Sequence, residues 1–151
     1  MSISVQQATM NELERLYEIE RECFTAEAFG KKHIASLLLD PTSVGILAKV
    51  NGEVAGFTIG LVHVAEDEGK IGHIYTLDVA MRHRRKGIGS RLLEEIERIF
   101  TENGVNSCYL EARVDNVAAQ KLYRKHGYLE VETLDNYYRR GVHAIRLKKV
   151  L

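Results

Sequence analysis

The feature that most narrows the folds open to this chain is a change of hydrophobic period around Gly87. Upstream, Ile71–Val79 is an apolar run of strand length. Downstream, Ile88, Leu92, Leu93, Ile96, Ile99 and Phe100 recur at helical spacing until Asn103-Gly104, a helix-stop signal. Between them lies Val79-Ala80-Met81-Arg82-His83-Arg84-Arg85-Lys86-Gly87-Ile88-Gly89-Ser90. A strand that runs through a glycine turn into a long amphipathic helix requires layers, with a sheet on which that helix can bury its stripe.

The remaining elements are read against this junction. Ser4–Thr9 alternates weakly and is expected as a first strand. Thr9 and Glu12 have capping-box spacing, followed at helical intervals by Leu13, Leu16, Tyr17 and Phe24. A second helix is expected over Lys31–Leu39, ended by Pro41. Val44–Val50 and Val54–Val64 flank Asn51-Gly52, a strong hairpin signal, and Ala65–Gly69 reads as a polar loop. After the long helix come a short strand, Ser107–Ala112, and a helix capped at Asp115-Asn116 that carries Ala119, Leu122 and Tyr123 and ends at Gly127. Leu129–Thr133 and His143–Leu147 read as two last strands separated by a polar loop. The order β-α-α-β-β-β-α-β-α-β-β is a mixed α/β structure, without the strict alternation of a dinucleotide-binding sheet. Nothing interrupts the 151 residues as a linker or repeat would, so a single domain over 1–151 is expected.

Composition removes several function classes. Lys and Arg number 21 and Asp and Glu 21, so the chain lacks the basic excess of a general nucleic-acid binder. No apolar run approaches membrane-spanning length, and the N-terminus has neither the basic start nor the apolar core of a signal peptide. Two cysteines without a CxxC do not make a disulfide framework, and a reducing cytoplasm is the expected compartment. Six scattered histidines contain no HxxxH or HExxH, so no metal site is expected.

The glycine junction carries chemistry of its own. Arg82, Arg84, Arg85 and Lys86 place four cations within five residues. Gly87 and Gly89 let the backbone approach a ligand, and the following helix offers unsatisfied N–H groups and a partial positive charge. Together these suit phosphate. The plain alternatives are a solvated charge run beside a turn or a fragment of a nuclear-localisation signal. Neither GxxxxGK[ST] nor GxGxxG is present, since the third glycine position holds Leu92.

Arg84-Arg85-Lys86-Gly87-Ile88-Gly89 fits R-x-x-G-x-G and resembles the pyrophosphate loop of the GCN5-related N-acetyltransferases. Asn116-Val117-Ala118-Ala119-Gln120-Lys121-Leu122-Tyr123, followed by Gly127-Tyr128, resembles a second block of that superfamily. Within it, Gly72-His73-Ile74-Tyr75-Thr76-Leu77 and His83-Arg84-Arg85 are similar to the arrest-defective type of protein N-terminal acetyltransferase. Leu110-Glu111-Ala112-Arg113-Val114-Asp115-Asn116 is similar to the ribosomal-protein alanine acetyltransferases, and Asn136-Tyr137-Tyr138 with Gly141 and Ala144 to a loop shared by both. Ala112 and Asp115 depart from the usual valine and serine, and a proline-rich segment is reduced to Phe24-Thr25-Ala26-Glu27-Ala28-Phe29.

The resemblance implies a central mixed, mostly antiparallel sheet with a splay between two strands, flanked by about four helices. It implies acetyl transfer from acetyl-coenzyme A directly to the α-amine of protein or peptide N-termini, ribosomal proteins and nascent chains among them. Arg84, Arg85, Lys86, Gly87, Ile88, Gly89 and Ser90 would hold the pyrophosphate, and Leu77, Val79, Asn116 and Tyr123 the pantetheine arm. Val79 N–H would face the carbonyl oxygen as charge builds. Glu111 is the first candidate base, with His73 and Glu27 as further candidates, and Tyr123 the candidate acid. Phe24, Glu27, Phe29, Tyr75, Tyr137 and Tyr138 would shape the acceptor pocket. An auxiliary subunit or a homodimer stays open. So do two other readings: an acetyltransferase for lysine, polyamines or another small amine, and a non-catalytic acyl-coenzyme A sensor or interaction subunit. Cys23 and Cys108 read as small buried hydrophobes rather than acetyl carriers.

Overall fold

The computed structural model describes residues 2–24 and 26–151. Its strands are β1 (Ile3–Gln7), β2 (Ser43–Val50), β3 (Glu53–Ala65), β4 (Gly69–Val79), β5 (Val105–Arg113), β6 (Leu129–Arg139) and β7 (Val142–Val150). Its helices are α1 (Leu13–Cys23), α2 (Lys31–Leu39), α3 (Ile88–Glu102) and α4 (Val117–Lys125). The strands form one sheet in the order β1-β2-β3-β4-β5-β7-β6. Every neighbouring pair is antiparallel except β4 and β5.

Local chemistry sets most element ends. The Thr9–Glu12 capping box forms, and that is why the first strand ends at Gln7 rather than at the expected Thr9. Asn51 and Gly52 take positive φ and close the β2–β3 hairpin. Gly87, at φ +80°, begins α3, and Asn116 Oδ1 accepts from Ala119 N–H to begin α4.

The stripe of α3 buries Ile88, Leu92, Leu93, Ile96 and Phe100 on one face of the sheet, with Tyr123 of α4 in the same cluster. Leu16, Ile19, Ile34 and Leu37 of α1 and α2 build a second core with Leu47, Phe57 and Ile59. Full burial of each such side chain favours folding by about 1.5–3 kcal/mol.

The last hairpin differs from expectation. The polar loop expected after Thr133 is strand, and β6 continues to Arg139 before turning at Arg140-Gly141. A register shift accommodates Asn136 at φ +55°, whose N–H donates to His143 Nδ1 at 2.8 Å. β6 is an edge strand exposed along nearly all its length, so its sequence lacks the apolar alternation of a half-buried strand.

One irregularity creates the working gap. Thr76 stands opposite Ile59 and Ile74 opposite Gly60, which leaves Tyr75 as an extra residue in β4. Such a bulge bends and twists its strand. β5 pairs with β4 only up to His73↔Tyr109, whereas it stays paired with β7 to Arg113. Beyond that point β4 and β5 diverge.

Candidate active site

The splay opens into a cleft of about 620 Å³, lined among others by Leu77 and Tyr75 of β4, Glu111 of β5, Asn116 and Tyr123 of α4, Phe24, Glu27 and Phe29 of the α1–α2 connection, and Tyr137 and Tyr138 of β6. Ala80 N–H bonds Ala55 O at 2.8 Å. By the alternation of an antiparallel ladder, Leu77 and Val79 then turn their N–H groups away from β3 and into the splay. This offers an extended ligand the ladder positions that β5 has vacated.

At one end lies the glycine junction. Gly87 adopts a left-handed conformation with open space around it, and no side chain among the described residues caps the helix N-terminus. The first N–H groups of α3 are therefore free for an anion. A Cβ on Gly89 would meet Leu122 Cδ2 at 3.1 Å, so this glycine lets α3 and α4 approach closely. Arg85 and Lys86 are exposed here, with Lys86 Nζ 3.2 Å from His83 Nδ1. Arg84 points elsewhere: its Nε donates to Val79 O at 3.1 Å and its Nη2 lies 3.4 Å from Cys23 Sγ. Its guanidinium, expected at the phosphate, is occupied by protein groups. The Ile88 side chain is buried in the core, and Ser90 Oγ bonds His126 Nε2 at 2.9 Å, so both can offer their backbone N–H.

At the fork of the splay sits Glu111, its side chain 7% exposed. Its Oε1 lies 2.7 Å from His73 Nε2, and its Oε2 accepts from Arg146 Nε at 2.9 Å. Tyr137 Oη donates a longer bond to Oε1 at 3.4 Å. Burial by itself would raise this carboxyl, but the hydrogen bonds and charges of His73 and Arg146 outweigh it and hold Glu111 below its ordinary range. Glu111 is thus an ionised acceptor, so His73 donates through Nε2. The imidazole is stacked on Tyr109 at 4.2 Å and lies 4.0 Å from the Tyr75 ring. His73 is not among the cleft-lining residues and sits behind Glu111.

Glu27, equally buried at 7% exposure, accepts from Arg113 Nη1 at 3.0 Å and also from Arg139. Two guanidinium partners make it a latch between the α1–α2 connection and strands β5 and β6. Tyr123 is buried in the cleft wall, and burial, then the Asp78 and Tyr138 charges, push its hydroxyl well above the usual phenol range. It therefore keeps its proton at pH 7. Tyr137 and Tyr138 meet edge to face at 5.0 Å, each pushed up to about 12, chiefly by burial. Phe29 packs against His33 at 4.4 Å. Cys108 is buried, with Sγ 3.1 Å from Tyr128 Oη, and Cys23 Sγ is directed at Val79 O.

Sequence reasoning missed Arg146, Tyr109 and the Glu27 latch. Arg146 stands directly opposite Glu111 across β5 and β7, and only the register discloses that pairing. It also missed two buried acids, Glu20 and Asp78. A charge inside an apolar helix stripe and another at a strand end were the available signals.

A gap between parallel strands that exposes backbone N–H groups and ends at an uncapped helix N-terminus fits an extended, phosphate-tailed donor. A carboxylate at its fork and a protonated tyrosine in its wall give the same cleft one proton acceptor and one proton donor, as a group-transfer enzyme needs. The chain belongs to the acetyltransferase (GNAT) family, whose model matches residues 13–128. It is 33% identical over 150 residues to an uncharacterised N-acetyltransferase of Methanocaldococcus jannaschii, covering 96% of this chain and 90% of that protein. An N-alpha-acetyltransferase of Sulfurisphaera tokodaii is 28% identical over 148 residues, covering 93% and 88%. Among solved structures, Ard1 from Thermoplasma volcanium superposes with a TM-score of 0.89 at 25% identity, covering 100% of this chain and 99% of the other. The protein is an acetyltransferase of the GNAT type, with acetyl-coenzyme A as acetyl donor.

Proposed function

We propose that the acceptor is the N-terminal α-amine of proteins or peptides. The observation that carries this reading is the state of Glu111. A carboxylate held ionised by His73 and Arg146 is a weak base. An α-amine, with a pKa of about 7.7–8.0, is roughly 10–20% neutral at pH 7, whereas a lysine near 10.4 is well under 0.1% neutral. A weak base suits the first and not the second. The relatives named N-alpha-acetyltransferase and the aromatic acceptor wall of Phe24, Phe29, Tyr75, Tyr137 and Tyr138 support the same reading.

Acetyl-coenzyme A supplies an activated acetyl thioester when bound. The α3 N-terminus with Arg85 and Lys86 would hold its pyrophosphate, and the Leu77 and Val79 backbone its pantetheine arm. Glu111 takes the proton that the attacking amine gives up, directly or through one water, while the hydrogen bond from His73 holds the carboxylate in place. Val79 N–H donates to the carbonyl oxygen as charge builds there; loss of one such donor typically costs about 2.7–4 kcal/mol in the transition state. Tyr123 Oη donates its proton to the departing sulfur. One N–C bond forms, one C–S bond breaks, and one proton passes from nitrogen to sulfur overall. Glu27 has its carboxylate committed to arginines and acts as a wall residue rather than a base.

The test is mass spectrometry of a peptide panel varied at the first residue, incubated with acetyl-coenzyme A, beside N-terminally blocked lysine peptides and polyamines. Acetylation of free N-termini is expected. Exclusive modification of lysine or polyamine would replace the reading with the small-amine alternative. No turnover with any amine, despite tight acetyl-coenzyme A binding, would leave a sensor.

A further inference from the structure

Two buried acids face each other under the acceptor wall. Glu20 of α1 is 2% exposed and Asp78 of β4 is 1% exposed. Glu20 Oε1 and both Asp78 oxygens are sealed from solvent without a well-formed hydrogen bond among the described residues; the Leu77 backbone N–H lowers the Asp78 pKa, but burial and Glu20 outweigh it. Two ionised carboxylates cannot satisfy one another, because each is an acceptor only. A proton held between them supplies the missing donor and removes one of two like charges. Consistent with this, Asp78 is displaced well above the ordinary carboxylate range, by burial first and then by the neighbouring Glu20 carboxyl.

The other Glu20 oxygen is already in use: Oε2 accepts from Phe29 N–H at 3.0 Å. Phe29 belongs to the acceptor wall, and the α1–α2 connection that carries it is held further along by the Glu27 latch. Glu20 thus ties the wall to the end of β4, beside the N–H groups of Leu77 and Val79.

We propose that Glu20 and Asp78 share one proton and act together as a positioning pair, which fixes the acceptor wall through Phe29 and so sets affinity for the amine substrate. Loss of the shared proton at alkaline pH leaves two adjacent negative charges, repels Glu20 and loosens Phe29. The groups around the pair do not replace the proton. Cys23 donates to Val79 O, the Arg84 guanidinium is spent on that same carbonyl and on Cys23, and Tyr123 faces Asp78 from α4 with its own proton retained.

The proposal holds for any amine acceptor, so its test uses the best peptide of the panel or, failing peptides, the polyamine turned over fastest. KM for that acceptor and kcat are measured from pH 6.5 to 9.5 at saturating acetyl-coenzyme A, for wild type, Asp78→Asn, Asp78→Ala and Glu20→Gln. Asparagine carries a permanent donor in place of the shared proton. Asp78→Asn should match the wild-type acceptor KM within twofold at pH 6.5 and should lack the rise, threefold or more, that wild type shows by pH 9.5. Substrate ionisation is common to both and cancels in the ratio of their KM values. Asp78→Ala should raise acceptor KM at least tenfold at every pH, and Glu20→Gln should flatten the pH dependence. In all three, KM for acetyl-coenzyme A stays within twofold. A wild-type to Asp78→Asn ratio that is constant with pH, together with a Tm for Asp78→Asn no higher than that of wild type at pH 7–8, would overturn the shared proton, even if Asp78→Ala fails to fold. An unchanged acceptor KM in a folded Asp78→Ala would overturn the positioning role.

Discussion

Glu111→Gln removes the charge from the carboxylate at the fork and keeps its shape. In the wild type that group takes hydrogen bonds from His73 at 2.7 Å and Arg146 at 2.9 Å. A glutamine has one oxygen to accept with, so its amide N–H₂ must face one of the two donors. Losing a charge-assisted bond costs about 1.5–3 kcal/mol. For a chain of this length that corresponds to a fall in Tm of about 3–12 °C at pH 7. The pH dependence has a definite sign. The folded pKa of Glu111 is depressed, so its contribution is present above the unfolded value and is lost as pH falls through the folded one. The gap in Tm between wild type and Glu111→Gln should therefore be full at pH 7 and close below about pH 4. In catalysis the same change should lower kcat by ~10²-fold at pH 7, the low end for general-base catalysis. Because Glu111 is already ionised well below neutrality, the acid limb of kcat/KM should follow the α-amine, near pH 7.7–8.0. Steady-state kinetics over pH 6–9, with differential scanning fluorimetry over pH 3–8, measure both effects. A kcat within twofold of wild type across that range would refute the assignment of proton transfer to Glu111.

Three other expectations follow from the same geometry. Tyr123→Phe should keep acetyl-coenzyme A affinity yet lose ~10²-fold in kcat, and equal turnover would reduce Tyr123 to a packing residue. Gly87→Val places a β-branched residue at φ +80° and should raise the acetyl-coenzyme A Kd at least tenfold, about 1.4 kcal/mol, by calorimetry; unchanged affinity would remove the phosphate cradle. Asp78→Asn should raise Tm at pH 7–8. The folded pKa of Asp78 is raised, so wild type loses stability as pH climbs from the unfolded value towards the folded one, about 1.36 kcal/mol per unit of displacement, and the two melting curves should converge below about pH 4.

What the sequence determined by itself was whatever depends on neighbours along the chain. The Thr9–Glu12 box, the Asn51-Gly52 turn, the α3 stripe after Gly87 and the Asn116 cap all rest on contacts within a few residues, and each formed where its residues said. Tyr123 was legible through the second motif block and Glu111 through the Leu110–Asn116 stretch, and they do line one cleft. The tertiary structure decided what those groups can do. Register across β5 and β7 gave Glu111 its Arg146, and the Tyr75 bulge ended the pairing of β4 with β5 just past His73. Tyr137 and Tyr138 lie on an exposed edge strand, where burial imposes no alternation that a pattern could reveal. Glu20 and Asp78 are 58 positions apart and look like ordinary charges in their own segments. Only packing of α1 against the end of β4 buries them together. Protonation is governed by distance and dielectric, and both are properties of the folded chain rather than of residue order.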